Sequence, residues 1–84
     1  MKGTLKNGFK YNVSDSINDD YEILELAEKA QQGDGAATVA IVKRVFGEEQ
    51  TKKLKEHIRD ENGVVSAKLM GEALVEVMGK AAKN

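Results

Sequence analysis

The stretch Phe46–Ser66, FGEEQTKKLKEHIRDENGVVS, constrains this chain more than any other. Gly47 stops one helix, Asn62-Gly63 stops another, and Ser66 stands where a hydroxyl can open the next. Between the stops, Glu48–Glu61 offers only Leu54 and Ile58, flanked by Thr51, as an apolar stripe. So narrow a stripe docks along one edge and leaves the rest of the helix in water. Glu48–Lys52 and Glu49–Lys53 have the i,i+4 spacing and orientation that support an exposed helix. The stops divide the chain into short consecutive helices, and no proline interrupts any of them.

The segments on either side agree with this. Leu5–Val13 reads as two short strands around a turn, with Asn7-Gly8 supplying the residues that tight hairpins favour. Phe9, Tyr11 and Val13 alternate with Lys10 and Asn12, the period of a half-buried strand. Asp19 and Asp20 then suit the first turn of a helix, where the dipole favours negative charge. In that helix Ile23, Leu24, Ala27 and Ala30 share a face, Glu22, Glu25 and Lys29 oppose it, Glu25–Lys29 forms an i,i+4 pair, and Gly33 ends it. Asp34 can cap the next helix, in which Val39, Ile41, Val42, Val45 and Phe46 cover about half the circumference. The last helix runs from Ala67 to Ala82, with Val65 and Met70 spaced as a hydrophobic staple around Ser66. Its apolar residues, from Leu69 through Leu74, Val77 and Met78 to Ala81, span roughly 180° at 100° per residue, and Val75 widens the arc. That is more apolar surface than a small bundle needs. The surplus serves a core, an oligomer seam or a groove for a partner equally well.

The expected fold is therefore a mostly α, four-helix domain with a short N-terminal β-hairpin: one domain over 1–84, with the hairpin in 1–13 and the helical part in 19–82. Eighty-four residues leave no room for a second domain, and a chain this short buries only about 60% of its unfolded surface. A net charge of −1 gives no global field for nucleic acid. Without cysteine there is no disulfide, thiolate metal site or cysteine nucleophile. The N-terminus lacks the apolar core of a signal peptide, and no apolar run spans a bilayer; a cytoplasmic protein without a membrane partner is expected.

No motif for chemistry emerges, and no cofactor or metal is expected. Asp60–Ser66 has a calcium-loop flavour, but with Gly63 at the sharp turn, Ile58 and Leu69 occupy positions that require carboxylates. His57 is the sole histidine and has no ligand set or nucleophile beside it in sequence. Ser14, Ser16 and Ser66 sit at turns and caps, where hydroxyls serve the backbone. Gly33-Asp34-Gly35 lacks the ending of a phosphate loop. Lys43, Arg44, Lys52, Lys53, Lys55 and Arg59 make the middle basic, and helix–Gly47–helix invites a helix-turn-helix reading in which Lys52, Lys53, Lys55 and Arg59 meet DNA. Glu48 and Glu49 open that supposed recognition helix, where phosphates would repel them. The acidic face Glu22, Glu25 and Glu28 is either a solvated face or a patch for a basic partner.

The order of features resembles the small tail assembly chaperones of long-tailed phages and prophages of Gram-positive bacteria. The resembling residues are Gly8-Phe9-Lys10-Tyr11-Asn12-Val13, the acidic helix Asp19–Leu26, Phe46-Gly47-Glu48-Glu49-Gln50, Leu54, Ile58, Arg59 and Gly63-Val64-Val65-Ser66. The resemblance implies a non-enzymatic factor in the bacterial host cytoplasm that coats the tape measure protein and recruits tail tube subunits. It carries no site residues onto this chain. From the apolar arc, Leu74, Val75 and Met78 are the expected partner-binding residues, and homo-oligomerisation is a further use for the same surface. A small DNA-binding regulator is the alternative.

Overall fold

A computed structural model describes residues 1–82; Lys83 and Asn84, the last two residues of the expected 1–84 domain, lie outside the described residues. Two strands, β1 (Lys2–Thr4) and β2 (Lys10–Asn12), precede a 3₁₀ turn at Ile17–Asp19. Three helices follow: α1 (Tyr21–Gln31), α2 (Gly35–Ile58) and α3 (Ala67–Ala82). Among the described residues the chain is mostly helical with an N-terminal hairpin, as its patterning indicates, but the count is three helices and not four. Gly47, at φ 77° and ψ 168°, is the only residue of α2 out of helical geometry. A stop that is one residue long leaves no connecting loop. The segments before and after it therefore form one element with a kink.

The hairpin also differs from the expected Leu5–Val13. Its strands pair antiparallel with Lys2 opposite Asn12, Gly3 opposite Tyr11 and Thr4 opposite Lys10, so β1 lies before Leu5. Leu5 to Phe9 is the turn, closed by the Leu5 amide on the Phe9 carbonyl at 2.8 Å and by the Phe9 amide on Asn7 Oδ1 at 2.9 Å. Gly8 takes the positive φ. Gly3 is required for a different reason: a Cβ there would lie 2.4 Å from the Tyr11 hydroxyl. The tyrosine packs over its cross-strand partner, and only glycine leaves room. Phe9, Tyr11 and Val13 are all buried and Lys10 and Asn12 exposed, as alternation requires.

An isolated hairpin is marginal in water, and here the helices hold it. Glu76 of α3 accepts from the Lys6 amide at 3.0 Å. Lys80 donates to the Thr4 carbonyl at 2.9 Å, with its ammonium 5.8 Å from the Tyr11 ring centroid. Gln50 on α2 treats β2 as a neighbouring strand would. Its Oε1 accepts from the Asn12 amide at 2.7 Å, and its Nε2 donates to the Asn12 carbonyl at 2.6 Å and to the Phe46 carbonyl at 2.7 Å. A carboxylate could keep the first bond and neither of the others. Gln50→Glu is therefore expected to cost about 1 kcal/mol at neutral pH, read as a lower midpoint in thermal or urea denaturation.

Capping follows the sequence closely. Asp34 accepts from the Ala36 and Ala37 amides, and Ser66 Oγ from the Leu69 amide at 3.1 Å. Gly33 follows α1 at φ 94°. Asp20 is the cap of α1 itself, bonding the Glu22 and Ile23 amides, so Asp19 falls in the preceding 3₁₀ turn and outside the helix. Arg44 reaches back to the same Asp20 carboxylate at 2.7 Å and holds it below the ordinary carboxyl range, chiefly by that hydrogen bond. The pair is open to water, so it orients α1 on α2 more than it stabilises them. α2 ends at Ile58, three residues before the expected Glu61, and Asp60 Oδ1 then accepts from the Asn62 and Val64 amides.

One cluster of apolar side chains joins the hairpin, the 3₁₀ turn and all three helices, with Ile23, Leu54 and Val77 as its fully buried members. The narrow stripe of the second half of α2 docks as expected: Thr51 and Leu54 are buried and Ile58 partly so. Four residues of the apolar faces, Leu24, Val39, Leu69 and Val75, are exposed. The covered arc on each helix is narrower than its apolar arc, because a domain this small has too few elements to cover every face. The expected pairs Glu25–Lys29, Glu48–Lys52 and Glu49–Lys53 are not among the ion pairs of the described residues.

Candidate binding grooves

Among the described residues, two grooves are lined mostly by the helices, with Lys6 and Asn7 of the hairpin turn adding to one and Val65 to the other. The first runs along α3 and has a volume of about 850 Å³. Ala27 and Ala30 of α1 and Ile41 of α2 form its far wall, and Leu74, Val75 and Met78 line the near one. The three residues expected to bind a partner thus border one groove, but they are not equally available. Leu74 is 6% exposed and forms part of the core, Met78 is half-buried, and Val75 is 70% exposed. Leu74 accordingly belongs to the groove's floor, and Val75 is the side chain that an incoming surface meets.

The second groove has a volume of about 910 Å³ and spans the Gly47 break. Val39 and Val42 come from before the break, Thr51 from after it, and Val65 and Met70 from the approach to α3 and its first turns. Lys43, Lys52, Lys55 and Lys68 stand around this apolar lining, with Glu48 as the single acid. Sequence reading missed this convergence. Lys43, Lys52 and Lys55 stand out as basic in the sequence, but Lys68 lies apart from them and the helical period places Val39 on the apolar face. The kink at Gly47 brings these side chains together, and a periodicity argument cannot see across it.

The remaining candidates resolve into structural roles. His57 Nε2 is 2.7 Å from the Asn7 carbonyl and its ring meets Phe9 edge-on, so the histidine anchors the hairpin turn. Arg59 forks onto Glu56 and also donates to the Gly63 carbonyl at 2.8 Å. That hydrogen bond to Arg59 lowers the Glu56 carboxyl from its ordinary range. Ser14 and Ser16 bond each other at 2.9 Å. The carboxylate of Asp34 occupies the amides at the start of α2, where a phosphate would otherwise bind. Among the described residues, no cluster of three or more His, Cys, Asp or Glu could hold a metal ion. Nor, among them, is any helix long and apolar enough to cross a membrane. Comparison with protein-family models, with curated proteins and with solved structures returns no match.

Proposed function

We propose that this chain is a non-enzymatic binding protein, a tail assembly chaperone whose partners are the tape measure protein and tail tube subunits. The groove along α3 is the observation that supports this reading. An amphipathic helix presents apolar side chains at i, i+3/i+4 and i+7, and a groove between helices with an apolar floor is the shape that receives them. Val75 on the rim provides apolar area without a fixed hydrogen-bonding pattern, over a floor that the core residue Leu74 holds in place. A chaperone that holds many stretches of one long helical protein requires such tolerance. Half-buried Met78 adds to it, because a thioether re-packs at small cost.

The test is a pull-down from cells that co-express the neighbouring genes, washed at low and then at high salt. Retention of a long helical protein at high salt is expected, because contact through apolar area does not weaken with ionic strength. Val75→Asp, at an exposed position, is expected to leave the fold intact and lower retention at least about tenfold. Full retention by that variant would remove Val75 from the contact. Recovery of nucleic acid alone, lost at high salt, would favour the small regulator instead. That alternative loses support from Arg59, whose guanidinium is occupied by Glu56 and the Gly63 carbonyl.

A further inference from the structure

We propose that the groove across the Gly47 break receives α1 of a second copy of this chain. The groove's lining joins apolar side chains to cations: Val39, itself 54% exposed, and the buried Val42 share it with Lys43, Lys52, Lys55 and Lys68, against the one acid Glu48. Among the described residues, none of these four lysines is ion-paired. Its complement is an amphipathic helix that carries carboxylates beside apolar side chains. The outer stripe of α1 has that composition. Tyr21, Leu24, Glu25 and Glu28 stand at i, i+3, i+4 and i+7, so they lie on one side of the helix. All four are exposed, Tyr21 at 72% and Leu24 at 55%. Glu25 and Glu28, like the lysines, make no ion pair among the described residues.

The same copy cannot satisfy itself. Ile23, 1% exposed, fixes the other side of α1 in the core, and the Asp20–Arg44 pair holds the start of that helix against α2. The stripe therefore faces away from the core, no residue of α1 lines the groove of its own copy, and the contact joins two molecules. Net charge of −1 per chain leaves little overall repulsion to oppose it. Each copy carries one donor helix and one acceptor groove, so the contact closes as a reciprocal pair or continues head to tail. One short helix buries an area at the low end for specific interfaces, so association is weak and rises with concentration. The lysines make it weaken with salt, the opposite of the groove along α3. The two inferences stand separately, since this one uses Lys52 and Lys55, which are not part of the α3 groove.

Charge reversal tests it on the full chain. Sedimentation of the wild type at low salt is expected to show mass above the 9.2 kDa monomer as concentration rises toward about 1 mM. Glu25→Lys with Glu28→Lys, and separately Lys52→Glu with Lys55→Glu, are each expected to weaken self-association at least about tenfold. These positions are exposed, and circular dichroism checks that both variants stay folded. Mixed in equal amounts, the two variants are expected to associate again, because the reversed helix of one now matches the reversed groove of the other. A wild type that stays at monomer mass, variants that assemble like wild type, or a mixture that remains monomeric would each overturn the proposal.

Discussion

Leu54→Ala is expected to destabilise the domain by about 2–5 kcal/mol, the range for deleting a buried leucine whose surroundings collapse only in part. Leu54 is 0% exposed. It is also the only fully buried side chain of the α2 segment after Gly47, where Thr51 contributes a small buried surface and Ile58 is only partly covered. Nothing else on that segment can compensate. Thr51 holds its end weakly, its hydroxyl donating to the Val42 carbonyl across 3.5 Å. For a domain of this length each kcal/mol moves the melting point by roughly 4–8 °C, so a fall on the order of 10–30 °C is expected. Because net stability of small domains is itself a few kcal/mol, a substantial unfolded population at 37 °C follows. Thermal and urea denaturation measure this directly. A loss below about 1 kcal/mol would show that the segment is held by its polar bonds to β2, with Gln50 as the principal one.

What the sequence makes legible here is local. Gly33, Asp34 and Ser66 announce helix ends because a cap needs only residues a few positions apart, and each performs that role. The buried face of β2 is legible for the same reason. Lys2–Thr4 shows no alternation that would mark a strand; it pairs because Tyr11 needs Gly3 beneath it, a requirement set across the sheet. The clamps on the hairpin join residues 38, 70 and 76 positions apart, Gln50 to Asn12, Glu76 to Lys6 and Lys80 to Thr4. Nothing in local spacing signals them. The groove along α3 was half legible: the surplus of apolar residues pointed to it, but the division into Leu74 as floor and Val75 as rim depends on where α1 and α2 lie. Exposed Leu24 and Val39 were hidden by the same ambiguity, since an apolar arc does not state which part of it the fold will cover.

The second large effect is expected at Gly47, where alanine should cost on the order of 1–3 kcal/mol. The space is open: a Cβ at Gly47 would meet nothing within 4 Å. The cost comes from the backbone, because φ 77° with ψ 168° is a region that residues with a Cβ scarcely enter. The variant has one escape, which is to straighten α2 into a continuous helix. That would swing the segment carrying Leu54 out of the core and pull Gln50 from Asn12, so the escape is costly too. It would also open the groove across the break, whose lining comes from both sides of Gly47. Gly71→Ala supplies the contrast. Gly71 lies inside α3, its added Cβ meets nothing within 4 Å, and its φ is not in the positive region, so alanine there should stabilise by about 0.5–1 kcal/mol. The same chemical change should thus lower the melting point at one glycine and raise it at the other. Equal stability of Gly47→Ala and wild type would mean that α2 tolerates a straight path through the break. In that case Leu54, and not the glycine, would fix the direction of the segment that follows.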